Sequence, residues 1–279
     1  MLECVLNLSE GRRPSLVERL AGRAGDTLLD IHTDADHHRA VLTLASHEGA
    51  EVEAAARAVT GAAVAELDLA GHAGAHPRLG VVDVVPFVPL GQATMAEAEA
   101  ARDRFAAWAG AELGLPCFLY GPGRSLPDIR RRAFAGLAPD TGPARPHATA
   151  GAASVGARGP LVAYNLWLQG ADLASARAVA AGIRGPHLRC LAFDLSGRPQ
   201  VSCNLIHPSA LGPAQAYDLV AARARVARAE LVGLVPADVL RAVPKRRWPE
   251  LDLTEDRSVE ARLSARLAAR SSGGGGHRS

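Results

Sequence analysis

Apolar residues alternate loosely over residues 2–8, a turn follows at Ser9-Glu10-Gly11, and Leu16, Val17 and Leu20 then recur behind Pro14 on a helical period. This predicts a strand over 2–8 and a helix over 14–24. Strands are expected over 26–32 and 40–45, joined by a polar connection over 33–39. Val52, Ala55, Ala56, Val59, Ala63 and Leu67 predict an alanine-rich helix over 51–69, packed closely through small residues. A continuous apolar run over 81–88, bounded by prolines, reads as a buried strand. The order is strand, helix, strand, strand, helix, strand.

The second half repeats it. Strands over 161–168 and 188–195 flank a helix over 172–183, and Ser196-Gly197-Arg198-Pro199 turns the chain into a strand over 200–206. A helix over 213–228 and a strand over 230–235 complete the set. Both halves fit the split βαββαβ plan, so the fold class is α+β, each half an antiparallel sheet with two helices on one face. Two such units side by side have a cleft between them, a favoured place for a ligand. Between the halves lie a helix over 95–113, a strand over 117–120 and a glycine- and proline-rich tract over 139–159. That tract has almost no apolar residue larger than valine and is expected outside the core, either as a flexible linker or as a loop whose backbone approaches a ligand. The expected domains are 1–158, 159–245 and a charged, disordered tail over 246–279 that ends in SSGGGGHRS.

With 48% apolar and 22% charged residues, 279 residues suffice for one large or two small cores, and a net charge of +2 with dispersed arginines argues against nucleic acid as a partner. The short clusters at 130–132 and 245–247 read as solvated helix faces. Cys4, Cys117, Cys190 and Cys203 each sit in an apolar run without ligand spacing, as buried free thiols do. The start has no secretory pattern and no stretch is long and apolar enough for a bilayer, which makes the cytoplasm the expected compartment and excludes a membrane partner.

The candidate chemistry lies in residues 72–90, HAGAHPRLGVVDVVPFVPL, where a polar loop with two histidines runs into the buried strand. A histidine fixed there titrates near neutral pH and can pass a proton during a reaction. His76 is the candidate, since Pro77 restricts its backbone to extended conformations; His72 alone reads as an ordinary loop residue. Arg39 and Arg78, beside polar loops, suit bidentate contact to a substrate carboxylate, with a salt bridge from Arg78 to Asp83 as the structural alternative. His32, Asp34, Asp36, His37 and His38, taken with His72 and His76, also invite a metal reading. They lie on irregular segments without a recognised ligand pattern, so no metal is expected.

Several separated motifs, in order, carry a resemblance. ECVLNLSEG at 3–11, LLDIHTDADHHRAVLTL at 28–44, the 72–90 stretch, CFLYG at 117–121, APDTGPARPHATAGAASVGARGPLVAYNLWL at 138–168, VSCNL at 201–205 and ELVGLVP at 230–236 resemble glutamate formimidoyltransferase, the amino-terminal transferase portion of formimidoyltransferase-cyclodeaminase, up to about Leu240. The resemblance implies two ferredoxin-like subdomains with a ligand groove between them. It also implies transfer of a formimidoyl group from N-formimidoyl-L-glutamate to N5 of tetrahydrofolate as co-substrate, in histidine degradation, by a homodimer. His76 matches the family's catalytic histidine. Gly142, Pro143, Ala144, Arg145, Pro146, His147, Ala148, Thr149, Ala150 and Gly151 match its folate-binding loop, and Asn204 and His32 fall in matching segments as possible substrate contacts. The chain departs from the pattern at His32, where mammalian-type enzymes carry an aspartate, at Ala73 and Ala75 in place of lysine and glutamate, and at Ala133, where a glutamate is common. Charge has been removed near the site. A 5-formyltetrahydrofolate-processing enzyme and a non-catalytic folate-binding protein are the alternatives within this fold.

Overall fold

Strand β1 (Leu2–Leu8) turns Leu2, Cys4, Leu6 and Leu8 to one side and Glu3, Val5 and Asn7 to the other, the period of a strand with helices on one face. In the computed structural model, which describes residues 1–75 and 77–273, β1 lies inside a six-stranded sheet. The other strands are β2 (Leu28–Asp34), β3 (Arg39–Ser46), β4 (Val82–Pro89), β5 (Cys117–Tyr120) and β6 (Ala153–Ala157), in the order β2-β3-β1-β4-β6-β5. β1 is antiparallel to β3 and β4, while β6 runs parallel to both β4 and β5. Helices α1 (Pro14–Gly22), α2 (Gly49–Glu66) and α3 (Met95–Glu112) bury Leu20, Val59, Phe105 and their neighbours against this sheet. The first four strands with α1 and α2 form the ferredoxin-like unit expected from the pattern.

Strand β6 overturns the expectation that the glycine-rich tract lies outside the core. Ala150, Ala152, Ala153, Val155 and Ala157 are all fully buried. A strand flanked on both sides and pressed by a helix has room for little more than alanine. At Gly156 even that fails: a Cβ would stand 2.1 Å from the Tyr120 ring. Small side chains here report close packing rather than a linker.

The chain forms two compact units, Met1–Gly159 and a second from Pro160 onward. In the second, β7 (Val162–Leu168), β8 (Leu188–Leu195), β9 (Arg198–Leu205) and β10 (Val226–Val232) form the order β10-β7-β9-β8, with α5 (Leu173–Ile183) and α6 (Pro213–Ala221) on one face, again ferredoxin-like. The hairpin turns at Ser196 and Gly197, both with positive φ, the pairing that a two-residue turn between twisted strands requires. Helix α6 ends earlier than the periodicity predicts, because Val226 to Val232 pair with β7. All four cysteines are free and buried, and Cys190 faces Cys203 across β8 and β9.

The disordered tail expected from 246 also differs. Leu251 and Leu253 belong to the second core and the Tyr164 hydroxyl donates to the Leu251 carbonyl at 3.0 Å. Helices α7 (Ala237–Arg241) and α8 (Val259–Gly273) lie on either side of that segment. Charged residues obscured the apolar ones, spaced too irregularly to show a period. Residues 274–279 lie outside the described residues. Among the described residues, no helix is long and apolar enough to cross a membrane.

Candidate active site

The turn after β1 supports the site. Glu10, buried, accepts hydrogen bonds from the backbone N–H groups of Arg12 at 2.8 Å and Arg13 at 3.1 Å and from Arg13 Nε at 2.7 Å. Burial pushes its pKa up, but these donors together outweigh it and the carboxyl titrates below its ordinary value. Only glycine fits next: a Cβ on Gly11 would lie 2.3 Å from the Asp34 carbonyl oxygen. The turn is thereby pressed onto the connection between β2 and β3.

At the end of that connection His38 adopts a left-handed conformation, φ 52°, and accepts the Gly11 N–H on Nδ1 at 3.1 Å. Its ring stacks on His72 with centroids 4.0 Å apart. His72 Nε2 donates to the His38 carbonyl at 3.2 Å, and its Nδ1 accepts from the Arg78 guanidinium. These partners assign His72 as the neutral Nε2–H tautomer. Burial, then the Arg78 charge, hold its pKa below the ordinary histidine value; burial, then His72, do the same for His38.

Arg78 donates further to the carbonyls of His72 at 3.3 Å and Gly74 at 2.7 Å. Ala75 N–H reaches the Asp36 carbonyl at 3.3 Å. The loop is thus tied down through residue 75 and from Arg78. His76 itself lies outside the described residues.

The glycine-rich tract meets the far side of this loop. His147 and Gly151 exchange backbone hydrogen bonds of 2.7 and 3.0 Å, and His147 Nδ1 accepts the Ala150 N–H at 3.0 Å, which closes a tight turn. The turn is laced to the central stretch by Leu69 N–H to the Thr149 carbonyl at 2.8 Å, Val81 N–H to Ala150 at 3.0 Å and Ala152 N–H to Leu79 at 3.1 Å. Gly80 permits the contact, since a Cβ there would stand 2.3 Å from the Ala152 carbonyl oxygen. Residues 142–146 of the tract and Ala148 are exposed.

Charge at this junction centres on Asp83. Asp83, buried, accepts the Leu79 N–H at 2.7 Å and pairs with Arg130 of helix α4 (Leu126–Arg132), one of its two contacts at 2.7 Å. Desolvation pushes the pKa of Arg39 down to about 10, against the pull of Asp83, so the group stays protonated at neutral pH. Arg78 is likewise lowered by burial and supported by Asp83. Asp83 thus acts on three guanidiniums, Arg39, Arg78 and Arg130, and Asp34 adds to its pull on Arg39.

Residues 1–158 match the family model described as "Formiminotransferase domain, N-terminal subdomain". The chain belongs to the formiminotransferase family. It is 33% identical over 271 residues to a glutamate formimidoyltransferase of Streptococcus pyogenes serotype M1, covering 86% of this chain and 90% of that protein. A glutamate formimidoyltransferase of Thermoplasma acidophilum is 34% identical, over 88% of this chain and 91% of its own length. The formimidoyltransferase-cyclodeaminase of Dictyostelium discoideum is 31% identical over 86% of this chain and 51% of that longer protein.

The first unit brings Arg78 onto His72, sets Arg39 and Arg78 near Asp83, and ties residues 149 and 150 of the tract to Leu69 and Val81. His32 is half-buried on β2 opposite Val41, on the side of the hairpin that also carries Asp34 and Arg39. Asn204 belongs to the second unit, exposed on β9 opposite Ala163. The carboxylate of Asp83 is held by Arg130, and Arg130 turns inward while Arg131 and Arg132 stay exposed, which corrects the reading of the whole cluster as solvated. The sequence names His38 only within a metal reading and Glu10 only within a turn, because their roles rest on the left-handed turn at His38 and on the space at Gly11, neither of which has a period. Among the described residues, no group of three or more histidine, cysteine or acidic side chains is disposed to hold a metal ion.

Proposed function

We propose that this protein is a glutamate formimidoyltransferase, moving the formimidoyl group of N-formimidoyl-L-glutamate to N5 of tetrahydrofolate with His76 as general acid and base. The observation that carries this reading is the backbone lacing of residues 149–152 to Leu69, Leu79 and Val81. It supports a folate held by the Gly142–Gly151 segment, with N5 facing the loop that contains His76. The N5 lone pair attacks the amidine carbon and the C=N π electrons move onto nitrogen. A tetrahedral adduct results. His76 takes the N5 proton and returns it to the glutamate nitrogen; the bond from that nitrogen to the carbon then breaks, and glutamate leaves as a neutral amine rather than an amide anion. Arg78 serves this step by fixing the carbonyls of His72 and Gly74, and holding two substrates together supplies much of the remaining acceleration.

Arg39 and Arg78 carry guanidinium forks that suit the carboxylates of glutamate and of the folate tail. His32 and Asn204 are further substrate contacts in this reading. The enzyme works as a homodimer in the cytoplasm, in histidine degradation. Purified protein given both substrates is expected to form 5-formimidoyltetrahydrofolate, followed by absorbance, and His76→Ala to lower kcat by roughly two to four powers of ten. Turnover unchanged by that substitution rules His76 out as the proton carrier. Light scattering on the eluting protein at micromolar concentration tests the dimer.

A further inference from the structure

A cavity of about 270 Å³ opens beside the stacked histidines, with Glu10, Arg12, His38, Asp68, Gly71 and His72 in its wall. Its charges divide into two kinds. Glu10 is used up internally by Arg13 and by two backbone donors. Arg12 engages only Nε of its guanidinium, with the Ala35 carbonyl at 2.9 Å, and among the described residues it makes no ion pair. Asp68 uses one oxygen for the Ala70 N–H at 2.8 Å and likewise forms no ion pair among the described residues. His38 spends Nδ1 on Gly11, which leaves a neutral ring with an Nε2–H to donate. A small cavity thus presents one unpaired cation, one unpaired anion and one neutral donor.

We infer that this cavity seats the amino-acid end of the formimidoyl donor, with Arg12 on its α-carboxylate, His38 Nε2–H as a second donor to that carboxylate, and Asp68 on its protonated amidine. The inference rests on the transferase reading above and names the subsite within it. In the donor, carboxylate and amidine nitrogen are attached to the same carbon, so a complementary site must hold opposite charges on facing walls. A guanidinium fork matches the carboxylate. Pairing with Asp68 keeps the amidine protonated and its carbon electrophilic. The location agrees as well: Asp68 immediately precedes Leu69, whose N–H binds the Thr149 carbonyl of the folate tract at 2.8 Å, and lies on the segment that leads into the histidine loop.

The test uses the full chain with tetrahydrofolate and two donors, N-formimidoyl-L-glutamate and its α-carboxamide, N-formimidoyl-L-isoglutamine. Wild-type protein is expected to favour the acid by about 10- to 100-fold in kcat/KM, the range of a charge-assisted hydrogen bond. Arg12→Gln abolishes that preference and raises KM for the acid about tenfold, with KM for tetrahydrofolate unchanged. Asp68→Asn lowers kcat/KM for both donors alike. Wild-type turnover with a preference that survives Arg12→Gln overturns the subsite alone. No turnover of either donor by wild-type protein overturns the transferase reading and the subsite with it.

Discussion

The stacked pair His38 and His72 makes the site sensitive to pH through its own stability. Both rings bind a proton less readily in the folded protein than in the unfolded chain, where the ordinary value is 6.5. From that value downward the unfolded chain carries more protons, so stability falls as pH drops through 6.5 and stops falling from this source only below the lowered folded values. Glu10, 3.6 Å from His38 Nδ1, offsets part of the effect, while Arg12 and Arg78 reinforce it. His38→Asn is the informative variant: an amide oxygen can accept the Gly11 N–H in place of Nδ1, and asparagine tolerates the left-handed backbone. Thermal midpoints of the two proteins are expected to agree near pH 8, with the wild-type falling more steeply towards about pH 5.5. Parallel curves would dismiss the stack as a source of the pH dependence. The sequence could propose histidines in this region, but not which of them stack, because contacts between residues 38 and 72 depend on the turn geometry at Gly11 and Gly74.

Element placement was readable wherever a period was clean. Strand β1, the helix at Pro14 and the hairpin at Ser196-Gly197 emerge from alternation, a proline and a turn dipeptide. Two failures inside the sheets share one cause, a tertiary contact that outweighs local preference. Val226 to Arg228 leave the expected helix because β7 offers a ladder, and β6 forms from small residues and one valine because only a thin strand fits between β4 and β5. At Gly80 that fit leaves no room for a side chain. Alanine there drives a methyl group into the carbonyls of Ala150 and Ala152 at 2.4 and 2.3 Å, which are backbone atoms and cannot swing aside. Gly80→Ala is expected to cost about 1–3 kcal/mol in urea unfolding, in the range of overpacked cores, and to weaken tetrahydrofolate binding as the tract moves off the strand. Unchanged stability and folate affinity would show that the tract is not held through this contact.

At the scale of the whole molecule, each unit has its own sheet and core, and the second depends on residues whose sequence looks like a charged appendage. Leu251, Leu253, Val259 and Leu263 are all buried, and Val235 exchanges backbone hydrogen bonds with the Arg257 carbonyl and the Val259 N–H, both at 3.0 Å. Burying four aliphatic side chains is worth roughly 6–12 kcal/mol, which is comparable to the about 5–15 kcal/mol that holds an entire domain together. Removing everything after Pro244 also strips the buried Tyr164 hydroxyl of its acceptor, the Leu251 carbonyl. The shortened chain is therefore expected to keep the first unit, whose core draws on residues 2–157 alone, and to lose the second. Limited trypsin digestion reads this directly, because many arginines of the second unit become cleavable while a fragment ending near Arg158 persists. A shortened chain whose second sheet resists digestion like the full-length protein would return residues 245–263 to the status of a dispensable tail.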